Sequence, residues 1–245
     1  MIEDGRLIKN KGSPFERDVN YEMDFLDAGR LNELIELQGS IIQGLSDPEI
    51  FWTHPIDYFR EIFKVDRSVI GTSTEDGLIA YSLIYIPRDC CVQEGFENLG
   101  LDIDLSEADL KRAAHLQATV VHPAYRGNSL QRRMARQHLD VLKEMGYEHI
   151  FCTVSPKNPM SLRNAFLCGF VIRNLKRKYN SWWRYILYRN VLCPFSSGSD
   201  EVEIDSLDIV GQLDLISKGY IGCRMELNPN GFSVPNGFSV TYCKS

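Results

Sequence analysis

The chain has 245 residues, 44% of them hydrophobic, and carries 27 Lys and Arg against 33 Asp and Glu for a net charge of −6. That size and apolar share fit one large α/β domain with an appendage or two small domains, and the acidic balance argues against nucleic acid as a main partner. The cysteines form no C-x-x-C or His/Cys ligand spacing, which points to free thiols in a reducing cytoplasm and no metal centre, and no signal-peptide pattern or apolar run of membrane-spanning length is present.

Residues 1–20 are polar and punctuated by Gly and Pro, which predicts a loose arm or an edge strand. Residues 21–26 read as a first strand. Asp27 is an N-cap candidate for a helix over 27–45, whose Leu31, Leu34, Ile35, Ile41 and Ile42 recur at helical spacing. Pro55 opens a second, shorter helix to residue 63. The apolar runs 68–74 and 78–86 flank Glu75-Asp76-Gly77, and Asp-Gly between apolar runs signals a hairpin. Residues 87–113 form an acidic insertion: Asp89, Glu94, Glu97, Asp102, Asp104, Glu107 and Asp109 stand against Arg88, Lys111 and Arg112. Within it Ser106-x-x-Asp109 has the form of a capping box.

His115 to Val121 reads as a buried strand that Pro123 stops. The basic loop Tyr125-Arg126-Gly127-Asn128-Ser129 leads into a long amphipathic helix with Leu130, Met134, Leu139, Val141, Leu142 and Met145 on its apolar side and Gly146 at its end. A strand, a tight loop and a helix N-terminus together make an anion site, because the first N–H groups of a helix lack internal partners and the helix dipole favours negative charge there. Gly127 admits a close approach to the backbone, Arg126 adds positive charge, and Ser129 can cap the helix. The loop lacks the endings of the common nucleotide-binding loops.

After a strand over 148–154, Asn158 is the N-cap candidate of a short helix with Pro159 at its first position and Gly169 at its end. Strands 170–178 and 182–189 follow, joined by Tyr179-Asn180-Ser181 and rich in aromatic residues. Residues 193–200 read as a linker, 205–218 as a helix and 220–227 as a strand. The sequence Asn-Gly-Phe-Ser-Val then occurs at 230–234 and 236–240, each copy a turn and a half-buried strand. So short a tail is not stable alone and is expected to dock on the main sheet or on a second subunit, which leaves a homodimer open.

The order Val121-x-Pro123-x-Tyr125-Arg126-Gly127-x-x-Leu130, followed by the strand and Asn158-x-x-Ser161, resembles the acetyl-CoA motifs of the GNAT superfamily of N-acetyltransferases. The resemblance extends over about 24–189. It implies a GNAT-type α/β (α+β) acyltransferase fold, a mixed central sheet flanked by helices. The expected organisation is an N-terminal arm 1–20, the acyltransferase domain 21–192 and a C-terminal α/β extension 193–245. It implies acetyl-CoA as acyl donor, held by Thr119, Val120, Val121, Arg126, Gly127, Asn128, Ser129, Leu130, Gln131, Asn158 and Ser161. It also implies an amine acceptor, a small molecule or a peptide; the charge balance and the lack of a membrane-length apolar run leave neither nucleic acid nor membrane as an expected partner. Phe51, Trp52 and His54 then border the acceptor or simply pack, and the acidic insertion is either a lip over the amine or a solvated connector.

Three family features are missing. Gly usually stands where Ser129 and Gln131 do, and a proton-donating Tyr and a basic Glu are replaced by Ala165 and Gln117. The reaction needs alignment of the two substrates, an oxyanion donor such as a backbone N–H near Val121, and a place for the amine proton. His115, Gln117 and Thr119 share one strand face. His115 is a candidate base or a strand-end histidine satisfied by a neighbour. Tyr185 is the candidate acid, with Tyr179 and Ser161 in reserve. A thiol with a pKa of about 8.5 also takes its proton from solvent, so an active enzyme and a catalytically weak acyl-CoA-binding module both stand.

Overall fold

A computed structural model describes residues 1–87, 97–196, 198, 200–227 and 237–244. Arg88, Asp89, Glu94, the Cys90-Cys91 pair and the first Asn-Gly-Phe-Ser-Val copy lie outside the described residues.

Strands β1 (Glu3–Lys9) and β2 (Arg17–Phe25) pair antiparallel, with Leu7 opposite Val19 and Gly5 opposite Tyr21. The polar first twenty residues thus supply an edge strand, and alternate side chains, Leu7, Val19 and Tyr21, enter the core. Asp27 accepts the Gly29 N–H at 2.7 Å and caps a 3-10 turn (Ala28–Arg30) that runs into α1 (Leu31–Gln43). Pro55 precedes α2 (Ile56–Ile62), which buries Tyr58, Phe59 and Ile62. β3 (Val69–Thr74) and β4 (Gly77–Tyr85) form the Asp-Gly hairpin, with Gly77 at φ +88°. Ser106 caps α3 (Glu107–Leu110), its hydroxyl accepting the Asp109 N–H at 3.2 Å.

β5 (Ala113–Val121) leads to a 3-10 turn (Pro123–Tyr125) and to α4 (Leu130–Glu144). Gly146, at φ +86°, closes that helix, with the Tyr147 N–H returning to the Leu142 carbonyl at 2.9 Å. Next come β6 (His149–Val154), α5 (Pro159–Leu167), β7 (Val171–Lys178) and β8 (Trp182–Asn190). The tail holds β9 (Glu201–Asp205), α6 (Ile209–Ser217), β10 (Ile221–Leu227) and β11 (Phe238–Cys243). β9 is unexpected, and α6 begins later than its periodicity predicts, because Asp208 is the true cap, accepting the Gly211 N–H at 2.9 Å. β11 is buried at all six positions rather than half-buried; β10 and β9 pair with its two edges, and α6 meets it through the Tyr242–Gln212 hydrogen bond.

The chain divides into two compact units, Met1–Ile86 with Leu116–Val141, and Pro87–His115 with Leu142–Ser245. In the first, the sheet runs β1-β2-β3-β4-β5. Phe59 of α2 meets Tyr81 edge-on at 6.1 Å, whereas Met134 of α4 meets the Thr72 hydroxyl at 3.9 Å. Thr72 pairs with Ala80, the strand neighbour of Tyr81, so the two side chains lie on opposite faces and helices cover both faces of this sheet.

In the second unit the sheet runs β5-β6-β8-β7-β10-β11-β9. Ala113, Ala114 and His115 lie parallel to His149, Ile150 and Phe151, and the other pairings are antiparallel, so the sheet is mixed. The tail joins it where Gly222 faces Ile172, an approach that leaves an added Cβ only 2.9 Å from the Ile172 side chain. Two acids of the insertion are held by β7: Asp102 meets Lys176 at 3.0 Å and Lys178 at 2.7 Å, and Glu97 meets Lys178 at 3.3 Å. These two carboxylates are neutralised within their own unit.

Candidate active site

The loop between β5 and α4 reverses backbone hand twice. Gly127 has φ +84° and Ser129 has φ +59°, with Asn128 between them outside the left-handed region. Alternation of this kind turns successive N–H groups toward one concavity, a geometry that holds anions. Among the described residues no acceptor meets the N–H of Gly127 or Ser129. Arg126 is exposed beside them, and the Lys11 ammonium reaches the Gly127 carbonyl at 3.4 Å.

Ser129 does not take the extended conformation of an ordinary N-cap. Its carbonyl accepts the Arg133 N–H at 3.0 Å, so it occupies the cap position, but its hydroxyl accepts from the Arg132 guanidinium at 2.8 Å. The left-handed backbone explains why glycine suits this position in the family that the motif resembles. Leu130 is buried and anchors the helix start, and Gln131 is half-buried.

Three long-range contacts hold the loop. The Asn128 side chain pairs with the backbone of Ile8, donating to its carbonyl at 2.7 Å and accepting its N–H at 2.9 Å. The buried Tyr125 hydroxyl donates to Asp76 of the β3–β4 hairpin, which also binds Lys9 at 2.5 Å. Asn10 donates its N–H to the Ala124 carbonyl at 2.6 Å. Sequence reasoning missed Ile8, Lys9, Asn10, Lys11 and Asp76 as supports, since nothing local marks a contact across so much chain.

On β5, Thr119 shares a hydroxyl contact with Ser82 at 3.0 Å, Val120 is buried, and Val121 packs against the core cluster around Tyr21 and Tyr125. Gln117 is half-buried. These residues and Arg126 to Gln131 belong to the first unit, whereas His115, Asn158, Ser161 and Tyr185 belong to the second.

Asn158 caps α5 as expected, its side-chain oxygen accepting the Ser161 N–H at 3.0 Å. Its amide NH2 meets no acceptor among the described residues. One end of this side chain therefore serves the helix, and the other remains a donor.

The acid–base candidates sit in structural hydrogen bonds. His115 is fully buried, its Nε2 accepts the Leu99 N–H at 3.2 Å, and burial pushes its pKa down to about 3. Such an imidazole is neutral near pH 7 but has little drive to take a proton. This geometry supports the reading of a strand-end histidine satisfied by a neighbour. Tyr185 is also fully buried: its hydroxyl donates to Gln212 of α6 at 2.9 Å, and burial pushes its pKa up. Tyr179, bonded to Thr153 at 3.3 Å, is pushed up to about 12 by burial. His54 is buried and stacks on Tyr58 at 4.1 Å, so it packs, while Phe51 and Trp52 are half-exposed. Among the described residues no group of three or more His, Cys, Asp or Glu side chains is placed to hold a metal ion.

Residues 41–170 match the acetyltransferase (GNAT) family. No curated protein matches the chain. Among solved structures, the loading GNATL domain of CurA from Lyngbya majuscula is similar with a TM-score of 0.53 at 14% identity, over 70% of this chain and 98% of that one. A GNAT-family acetyltransferase from Listeria monocytogenes gives 0.50 at 17% identity, over 76% and 100%. The structure of yncA from Salmonella typhimurium, solved with its cofactor acetyl-CoA, gives 0.52 at 15% identity, over 74% and 98%. At such identities the likeness speaks for the fold, a GNAT-type mixed sheet flanked by helices.

Proposed function

The chain belongs to the GNAT acetyltransferase family, and from that premise we propose that it is an acetyl-CoA-dependent N-acetyltransferase acting on a primary amine of a small molecule or peptide. The observation that carries this reading is the loop at Gly127 and Ser129, with two N–H groups that meet no acceptor among the described residues, the start of a fifteen-residue helix and two nearby cations. These features fit a pyrophosphate. Arg126 to Gln131 hold it mainly through backbone N–H groups. The free amide NH2 of Asn158 donates to the pantetheine arm, and Thr119 to Val121 present strand backbone.

Bound acetyl-CoA supplies the acyl thioester. The chain's own part is to bind and align, which lowers the barrier by removing translational and rotational freedom in advance. Gln117, half-buried on β5, is the polar group proposed to orient the amine. His115 and Tyr185 keep structural roles, and the amine proton passes to water. Among the described residues no helix is long and apolar enough to cross a membrane, and the proposed location is the cytoplasm.

The burial of His115 and Tyr185 equally favours a second reading, an acyl-CoA-binding module of weak catalytic power. Calorimetry with acetyl-CoA and a CoA-release assay over simple amines, polyamines, aminoglycosides and peptide N-termini separate the two. The enzyme reading expects binding together with turnover of at least one amine. Binding with no turnover on any amine supports the module. Unchanged affinity in Gly127→Val, a variant that obstructs the loop, overturns the cofactor assignment itself.

A further inference from the structure

Cys223 on β10 and Cys243 on β11 bring their sulfurs to 2.8 Å although they lie 20 residues apart. The register explains the approach. Ile221 faces Cys243 and Gly222 faces Tyr242, but the ladder then slips so that Arg224 faces Thr241, which leaves Cys223 at a bulge. In a regular ladder Cys223 would be diagonal to Cys243, and diagonal neighbours stand about 7–8 Å apart. A bulge bends its strand and re-aims the extra side chain, here onto the opposing sulfur. Both cysteines are free thiols. Cys243 is fully buried, and burial pushes its pKa up to about 12, so it stays protonated; Cys223 is half-buried and open to a small reagent.

We propose that Cys223 and Cys243 form a thiol pair that a low-molecular-weight disulfide of the glutathione class converts into an intramolecular cross-link between β10 and β11. In the first step Cys223, having lost its proton, attacks one sulfur of the small disulfide. A mixed disulfide forms at Cys223, and the displaced thiolate takes up a proton. In the second step the Cys243 thiol gives up its proton as its sulfur attacks Cys223 Sγ, expelling the second small thiolate, which is protonated in turn. Two protein thiols are oxidised and one small disulfide is reduced to two thiols. Because Cys243 stays protonated, little of it is present as the attacking thiolate, which slows the second step; the lower pKa of the departing small thiol and the proximity of the two sulfurs offset this.

The cross-link ties the strand whose Tyr242 hydroxyl donates to Gln212 at 3.0 Å to the strand that joins β7. It closes a loop of moderate length and so removes freedom from the unfolded chain. Oxidised protein is therefore expected to melt at a higher temperature than reduced protein.

The test uses the full chain, incubated with oxidised glutathione, quenched by alkylation and mapped without reduction. The expected result is a peptide pair joined through Cys223 and Cys243 in a monomeric product lighter by two hydrogens, with a raised melting temperature. Cys243→Ser removes the resolving thiol and is expected to trap a glutathione adduct on Cys223. Cys223→Ser is expected to leave Cys243 unmodified, and neither variant should show the rise in melting temperature. Absence of the 223–243 linked peptide from folded wild-type protein overturns the proposal. So does an unmodified Cys223 in folded Cys243→Ser, or an equal melting shift in the two serine variants.

Discussion

The side chain of Asn128 completes the hydrogen bonding of Ile8, taking its N–H at 2.9 Å and giving to its carbonyl at 2.7 Å, across 120 positions of sequence. One amide group stands in for a strand neighbour and fixes the loop that precedes α4. Its second donor contact, to the Tyr125 carbonyl at 2.9 Å, closes the loop on itself. Asn128→Ala is expected to cost on the order of 3 kcal/mol in urea unfolding, since each of its three hydrogen bonds contributes roughly 1 kcal/mol net. It should also weaken acetyl-CoA binding in calorimetry. Asn128→Asp should do worse in binding than Ala, because it sets a negative charge against two carbonyls and beside the proposed pyrophosphate.

Ser129 is left-handed at φ +59°, a conformation that costs a residue with a Cβ about 1–2 kcal/mol. Ser129→Gly is expected to raise stability by about 1 kcal/mol, less the lost contact with Arg132. Ser129→Val, β-branched, should lower it. Melting curves of the three proteins check the order Gly, Ser, Val.

Asn158 divides its side chain between cap and donor. Asn158→Asp keeps the acceptor for the Ser161 N–H and should retain stability while losing acetyl-CoA affinity. Asn158→Ala should lose affinity and about 1 kcal/mol of stability as well. Normal binding by the Asp variant would remove the pantetheine contact and leave only the cap.

Tyr185→Phe distinguishes a structural hydroxyl from a catalytic one. The group donates to Gln212 at 2.9 Å inside the core, so its loss is expected to lower stability by about 1 kcal/mol with kcat unchanged. A fall in kcat without loss of stability would restore Tyr185 as the proton donor.

The buried histidines set an acid limit. Burial lowers His115 to about 3 and His54 and His138 to about 4, against 6.5 in the unfolded chain. On acidification the unfolded state takes up these protons first. The stability is therefore complete above about pH 6.5 and is lost as pH falls toward the folded values. Urea midpoints are expected to drop steadily from pH 7 to pH 5, and His54→Phe should make that drop shallower. Equal midpoints at the two pH values would show that the three rings are protonated in the folded state.

What the sequence determined by itself is local. The Asp76-Gly77 hairpin, the Asp27, Ser106 and Asn158 caps and the Gly146 and Gly169 stops are hydrogen bonds or backbone conformations that close within a few residues, so the residues that make them stand next to one another in the chain. The motif between Val121 and Leu130 is legible for the same reason, and with it the family. Tertiary structure decided the rest. Whether His115 is a base or an acceptor for Leu99, whether Tyr185 meets substrate or Gln212, and whether residues 1–20 hang loose or grip the loop through Ile8 all depend on burial and partners brought together by the sheet. β9 escaped notice because five residues carry too little pattern, and β11 looked half-buried because nothing local shows what packs against its second face. Periodicity reports which side of an element is apolar; it does not report what packs against that side, and that second fact sets the pKa of a histidine and the task of a tyrosine.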